Sequence, residues 1–429
     1  MYNMKMFKFV FAVACYALAI TFIGTSLYAD ENTPSTVTPP PAAETTLAPL
    51  MSALDKAGLA EPLNKLGINI YGYAEGGWFY DATSPRKGSG PTFIGYNNFK
   101  SDVTLDKVSL NVERTVDATK KQFDVGFHLE GIYGADAAFI HSNGMWDTQT
   151  GHDQWDLLQA YADVALPYIP VKLRVGKWIE LAGFEQFSAN IYGAFGDPMR
   201  ALYSYSYQFL YAEPGTQTGA FATYILNPQW TFDTGFTMGW NQSIRDSNQA
   251  IDFLGRATFT PTDKTTVIFV MTEGPEFPIA VGHNIPAGDT GDYWTALDLV
   301  ITHKIDEKLS LGLGTDYVIA PAIPGLTTKP KEWGGVAGYG SYAIDPHFTL
   351  NTRVEWYKDA ADGFSTTMPV AANYYELTAG VAIKPFPKDK YLSHFILRPE
   401  IRYDHSDRSL FSTGERDQLT FSMDGLLTF

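Results

Sequence analysis

Arg398-Pro399-Glu400-Ile401-Arg402-Tyr403-Asp404 alternates four charges with three residues suited to lipid or to an interface. An extended strand sends successive side chains to opposite faces, so the charges share one face and Pro399, Ile401 and Tyr403 share the other. That charged face is too rich for a packed core, where each unpaired charge is costly. A water-filled lumen inside and lipid outside account for both faces.

One such strand could belong to an ordinary soluble sheet, but here the pattern recurs from Ile68 onward. Val108, Leu110 and Val112 alternate with Lys107, Ser109, Asn111 and Glu113. Phe123, Val125, Phe127 and Leu129 alternate with Asp124, Gly126, His128 and Glu130. Leu158, Ala160, Ala162, Val164 and Leu166 alternate with Gln159, Tyr161 and Asp163, and Val171, Leu173 and Val175 with Lys172 and Arg174.

Short turns are expected at 117–119, 167–170, 227–229, 261–264, 306–307, 345–347 and 387–390. Longer loops rich in Gly, Asp and Ser are expected near 82–102, 135–154, 181–214, 244–250, 275–290, 322–331, 359–372 and 406–413. Short connections alternating with long ones predict an all-β, transmembrane, antiparallel up-and-down barrel of about 16 strands, with both termini on the short-turn, periplasmic side. The last strand closes it: Leu419, Phe421, Met423, Gly425 and Leu427 form one face, and the chain ends in Phe429. Phe421 and Phe429 together resemble the C-terminal signal read by the barrel-assembly machinery.

The other end reads as a secretory leader over 1–29. Lys5 and Lys8 precede an uncharged apolar run, Phe9 to Gly24, and Ala29 offers a cleavage site before Asp30. An uncleaved anchor helix is the alternative, for which the run is short of the roughly 20 residues of a span. Residues 30–46 form a Pro/Thr-rich linker. Residues 47–66 form a short helical segment, set by Leu47, Leu50, Met51, Leu54 and Leu59 and interrupted by Pro62. The barrel is expected over 67–429. The single cysteine, Cys15, falls in the leader, so no disulfide or thiolate site is expected after cleavage.

The 47 acidic residues outnumber 31 basic ones. Losing Lys5 and Lys8 with the leader moves the formal charge from −16 to −18. That balance argues against a nucleic-acid partner, which requires a basic surface. An aromatic share of 14% with 38 glycines suits a β-protein with interfacial aromatics. After the leader no apolar run is long enough for a transmembrane helix, which leaves the closed barrel as the membrane-spanning solution.

Several dispersed segments carry a family resemblance. They are Leu173-Arg174-Val175-Gly176-Lys177-Trp178, Gly183-Phe184-Glu185 with Asn190, and Pro214 with Thr218-Gly219. Gly239-Trp240-Asn241, Thr272-Glu273-Gly274-Pro275-Glu276 and Arg398 to Asp404 complete the series. In this order they resemble the β-barrel porin-2 (OmpL-like) family, from about Gly72 to Phe429. The resemblance implies an outer-membrane barrel passing small solutes, and brings neither a particular substrate nor catalytic residues.

Candidate functional residues follow from strand and loop placement. The longest loop, 181–214, carries Glu185, Asp197, Arg200 and Glu213 with Tyr203, Tyr205, Tyr207 and Tyr211. It is read either as a constriction folded into the lumen or as a cover over the barrel mouth. Lys172, Arg174 and Lys177 precede it on a strand whose polar face should line the pore. Arg353 and Glu355, with Arg398, Glu400, Arg402 and Asp404, are read as a lumen charge ladder that is also a wall-stabilising network.

The tryptophans Trp78, Trp155, Trp178, Trp230, Trp240, Trp294, Trp333 and Trp356, with Tyr80, are read as interface girdles rather than sugar platforms. His141 and Ser142 are adjacent, so a strand would send them to opposite faces. No catalytic constellation, metal set or cofactor is expected.

The first expectation is therefore an outer-membrane diffusion channel for small hydrophilic solutes or ions with weak cation preference. The alternative is a plugged structural or surface-binding barrel whose loops engage a partner. Expected partners are outer-membrane lipid and lipopolysaccharide, the barrel-assembly machinery and small solutes. A homotrimer is compatible with the sequence.

Overall fold

The computed structural model describes residues 49–83, 102–187, 201–246, 249–276, 293–320, 330–359, 371–389, 391–411 and 414–429. The leader and the 30–46 linker lie outside these residues, as do Asn190, Asp197, Arg200 and parts of several loops. Two short helices, Pro49–Lys56 and Ala60–Leu66, precede the sheet. No described helix is long and apolar enough to cross a membrane.

Sixteen antiparallel strands close into one barrel. They are β1 (Asn69–Asp81), β2 (Thr104–Arg114), β3 (Asp124–Gly134), β4 (Gln154–Ala165), β5 (Val171–Ile179), β6 (Thr216–Asn227), β7 (Trp230–Trp240) and β8 (Asp252–Thr262). The second half comprises β9 (Thr265–Pro275), β10 (Tyr293–Lys304), β11 (Leu309–Ala320), β12 (Lys331–Ala343), β13 (Phe348–Asp359), β14 (Ala372–Ile383), β15 (Phe395–Ser406) and β16 (Asp417–Thr428). Each pairs with its chain neighbours, and β1 closes the ring on β16 with Trp78 opposite Met423. Every expected short turn and long loop falls between consecutive strands, in the expected alternation.

Five short connections share one device. Asp306 Oδ1 accepts from Lys308 N (2.7 Å) and Leu309 N (2.9 Å), and Asp345 Oδ1 accepts from His347 N (2.7 Å). Asn227, Asp117 and Asp389 hold their turns in the same way. An Asx side chain that bonds backbone two residues on mimics the turn's own hydrogen bond, which lets these connections be tight.

The chain terminus completes the closure. Phe429 N donates to Gly72 O (2.8 Å) and Gly72 N to Phe429 O (2.8 Å). A Cβ on Gly72 would sit 2.4 Å from Ser109 O and 2.6 Å from the Phe429 ring, so only glycine fits there. Phe421 points outward from β16 and is 40% exposed.

The faces of β15 are inverted relative to a soluble sheet. Arg398, Glu400, Arg402 and Asp404 are buried inside, while Ile401 and Tyr403 face out. The same inversion places Val108, Leu110, Val125, Leu129, Leu173 and Val175 on the outer wall. A lipid-facing wall requires it, because lipid solvates apolar side chains and no backbone group is left unpaired in a closed sheet.

One expected outer-face residue is corrected. Leu158 is fully buried, packed with Ile132, Ile140 and Ile179. A register shift between Glu130 and Gly131, opposite Gln159 and Leu157, adds a residue and turns Leu158 inward.

Candidate functional site

The described parts of the β5–β6 connection lie inside the barrel, against the inner faces of strands far away in sequence. Ser206 caps the helix Tyr207–Tyr211, its side chain accepting from Phe209 N (3.2 Å). The first backbone N–H groups of a helix lack intrahelical partners, and Glu355 of β13 supplies them: its carboxylate accepts from Tyr207 N (2.7 Å) and Gln208 N (2.8 Å). Glu400 of β15 does the same for Tyr203 N (2.8 Å) and Ser204 N (3.0 Å).

Bases on the same strands take the carbonyls. Arg353 Nη1 donates to Ser204 O (2.9 Å) and Arg402 Nη1 to Tyr205 O (2.5 Å). Glu185, at the start of the loop, closes the circuit by accepting from Arg353 Nη1 (2.5 Å) and Ser206 N (2.8 Å). Four charges of the expected ladder thus hold the loop backbone, carboxylates on N–H groups and guanidiniums on C=O groups, in charge-assisted hydrogen bonds.

Side chains seat the loop where the wall has glycines. The Tyr203 ring stacks on Phe79 (4.5 Å) and covers Gly77, and its hydroxyl donates to Asp106 Oδ2 (2.8 Å). Phe184 stacks on Tyr339 (3.8 Å) and covers Gly312. Tyr207 packs between Tyr357 and Tyr374, and its hydroxyl donates to Asp404 Oδ1 (2.8 Å). Burial and the neighbouring Asp404 carboxylate hold the Tyr207 hydroxyl well above the ordinary phenol range.

The remaining candidates form two further groups. Arg398 donates to Asp424 (2.9 Å) and Glu75 (2.9 Å), and Lys107 pairs with Glu75 (2.9 Å) and Asp136 (2.7 Å). This network crosses the β1–β16 seam. On β4 and β5, about a quarter of the way round the ring, Lys172 and Arg174 share Asp163 (3.0 and 2.8 Å), with the Arg174 guanidinium 3.6 Å over the Tyr161 ring. Arg256 pairs with Asp233 (2.7 Å). Lys177 is buried against Asp156 (3.1 Å) and the carbonyl of Leu157 (2.8 Å). Asp197 and Arg200 lie outside the described residues.

Four tryptophans depart from the girdle expectation. Trp178, Trp294 and Trp333 are buried inside the barrel, and Trp240 packs edge-on against Trp294 (6.0 Å). Trp294 shares its strand face with Asp298, and Trp333 shares its face with Tyr339. Trp240, Trp294 and Trp333 pack against the inward loop with Tyr207, Tyr357, Tyr374 and Phe411, while Trp178 packs separately with Phe221, Leu254 and Val270. Trp155 remains on the outer wall.

His141 and Ser142 are held apart in function. Ser142 Oγ is hydrogen-bonded to Thr216 Oγ1, while His141 Nε2 sits 3.0 Å from Asp147 and Nδ1 3.5 Å from Asp156. The nearby Asp156 carboxylate, then the hydrogen bond to Asp147, raises the His141 pKa; the His141 bond lowers that of Asp147. A raised histidine contributes stability that is complete below its ordinary value near 6.5 and is lost as pH rises through the folded value. A lowered carboxylate contributes stability present above its ordinary value and lost as pH falls through the folded one. Both ties therefore hold in the mildly acidic window. We expect the protection factors of amides in 141–147, taken against the base-catalysed intrinsic rate at each pH, to fall from pH 6 to pH 8 by no more than the equivalent of about 1 kcal/mol for so exposed a pair. His141→Gln should remove that dependence; an unchanged pH profile in the variant would refute the assignment.

Sequence reading named Glu213 but missed its companions. Glu213, Asp298 of β10 and Asp316 of β11 are all buried, with ligand oxygens within 4.8 Å of one another. The available signal was that Asp298 and Asp316 are each the single acid of their strand and fall at inward positions.

Comparison with known proteins agrees with this fold. The family model described as "Putative beta-barrel porin-2, OmpL-like" matches residues 67–429. Similar solved structures include the outer membrane channel DcaP of Acinetobacter baumannii, at 11% identity and TM-score 0.53, covering 84% of this chain and 97% of that one. An anion-selective porin from Comamonas acidovorans is similar at 9% identity and TM-score 0.53, covering 84% and 99%. Outer-membrane expressed OmpT of Vibrio cholerae is similar at 12% identity and TM-score 0.51, covering 84% and 97%. At these identities the likeness is one of fold alone. A search of curated proteins gave no match.

Proposed function

The chain belongs to the β-barrel porin-2 (OmpL-like) family of outer-membrane porins, and on that premise we propose that the inward β5–β6 loop is the constriction of a diffusion channel for small hydrophilic solutes or ions. The observation that carries this reading is the loop backbone spanning to the far wall, bonded to Glu355, Glu400, Arg353 and Arg402. A loop held there narrows the water path at one level, and the charges around that level bias which ions pass.

The acid excess supports weak cation preference. Buried carboxylates outnumber buried bases several-fold among the described residues. The test is the reversal potential of purified protein in a planar bilayer across a KCl gradient. A small potential of the sign for K⁺ is expected; one of the sign for Cl⁻ would overturn the preference while leaving the channel intact.

A second reading, the plugged structural barrel, draws on the aromatic cluster packed between the loop helix and β10–β15. The same bilayers separate the two. Stable open steps support the channel, and silence from folded, heat-modifiable protein supports the plug.

A further inference from the structure

Three carboxylates buried together are costly unless something compensates their charge. Glu213, Asp298 and Asp316 are 7%, 5% and 5% exposed, and among the described residues none of them makes an ion pair with a Lys, Arg or His. Asp316 lies against the carboxyls of Asp298 and Glu213, and from outside the cluster it accepts from the Gln208 carboxamide (2.8 Å to Oδ2), oriented so that its oxygen accepts from Ala337 N (2.8 Å). Asp298 faces the Gly183 N–H and the Asp316 carboxyl, but neither contact gives its oxygens a hydrogen bond of normal geometry, and Glu213 Oε2 has none either.

A small cavity adjoins the cluster. It measures about 10 Å³ and is lined by Asp298, Asp316, Gln217, Thr272, Ala182 and Trp240, among others. That is room for about one water-sized sphere. Gln217, 1% exposed, lines this cavity with its Nε2 lacking any acceptor. A carboxamide turned over presents its oxygen instead, so the unsatisfied amide can become a neutral ligand.

We propose that Glu213, Asp298 and Asp316 bind one divalent cation of the calcium kind, which staples the returning limb of the inward loop to β10 and β11. The ligands are all oxygens, which selects a hard cation over zinc or copper. Oxygens within 4.8 Å of one another can be bridged by an ion held at about 2.3–2.6 Å from each. Magnesium demands near-ideal octahedral geometry and keeps several waters, for which the cavity has no room. Calcium accepts an irregular shell of carboxylate and amide oxygens. The site holds the loop whether or not the channel reading is correct.

The test uses full-length protein refolded in detergent without lipopolysaccharide and stripped with a chelator. Tb³⁺ is the first probe, because Trp240 lines the cavity and can sensitise its emission. Saturable emission displaced by Ca²⁺ at one site per chain is expected. Calcium should also raise the temperature of the heat-modifiable shift relative to chelator. Asp298→Asn with Asp316→Asn should abolish both effects. Glu213→Gln, which leaves the strands untouched, should weaken Ca²⁺ at least about tenfold through the lost ligand charge. The proposal is overturned if stripped wild-type protein shows neither Tb³⁺ emission nor a calcium shift, since the carboxyls would then be holding protons. Glu213→Gln binding as tightly as wild type would overturn it equally.

Discussion

Arg353→Leu should destabilise the barrel by about 3–5 kcal/mol, the cost of leaving buried partners without their counter-charge. The Arg353 side chain is fully buried in β13. Its Nε donates to Glu376 (2.8 Å), and its Nη1 to Glu185 (2.5 Å) and Ser204 O (2.9 Å). Leucine matches the apolar stem but strands two carboxylates and a carbonyl in a dry interior. The loss should appear in the urea midpoint of the refolded protein with its slope unchanged. Adding Glu185→Gln and Glu376→Gln to Arg353→Leu should restore a good part of it, because no charge is then left to desolvate. Arg353→Lys should fall between, keeping charge but losing the fork that serves three acceptors. A loss within about 0.5 kcal/mol, the range of surface substitutions, would show that Arg353 does not anchor the loop.

The wall of this barrel was legible in sequence because each strand divides two media. Arg398 to Asp404 could be sorted by parity alone, and the Asx turns at Asp306 and Asp345 mark the tight connections by their own chemistry. What parity could not supply is which inward side chains touch water. Glu355 and Glu400 read as pore-lining acids, yet their oxygens are occupied by N–H groups of residues 203–208, some 150–200 positions away. No local pattern encodes such a pairing. Trp294 and Trp333 were misplaced for the same reason: an aromatic near a strand end suits a lipid interface unless a loop inside the barrel offers it another apolar surface. Leu158 failed differently, through one inserted residue that reverses parity beyond it.

Gly77→Val with Gly312→Val should evict the inward loop while leaving the barrel closed. A Cβ at Gly77 would lie 2.0 Å from the Tyr203 hydroxyl oxygen, and one at Gly312 would lie 2.2 Å from the Phe184 ring. Valine suits a strand better than glycine, so the wall itself should gain rather than lose. The docked loop bears most of the clash, at about 1–3 kcal/mol per overpacked site, the one crowded wall atom being Asp106 Oδ2 at 2.8 Å from the Gly77 Cβ. Displacement can be read directly, because Ser204 is fully buried and the one cysteine of the sequence, Cys15, falls in the segment expected to be a leader, with Cys15→Ser removing it in any case. Ser204→Cys should resist a water-soluble thiol reagent in the parent and react in the double-valine background. If the docked loop is the constriction, single-channel conductance rises in the same protein. If it is a plug, steps appear where the parent is silent. A thiol that reacts in the Ser204→Cys variant while conductance stays unchanged would remove the loop from the permeation path altogether, and would move the selectivity question to Lys172, Arg174 and Arg256 on β5 and β8.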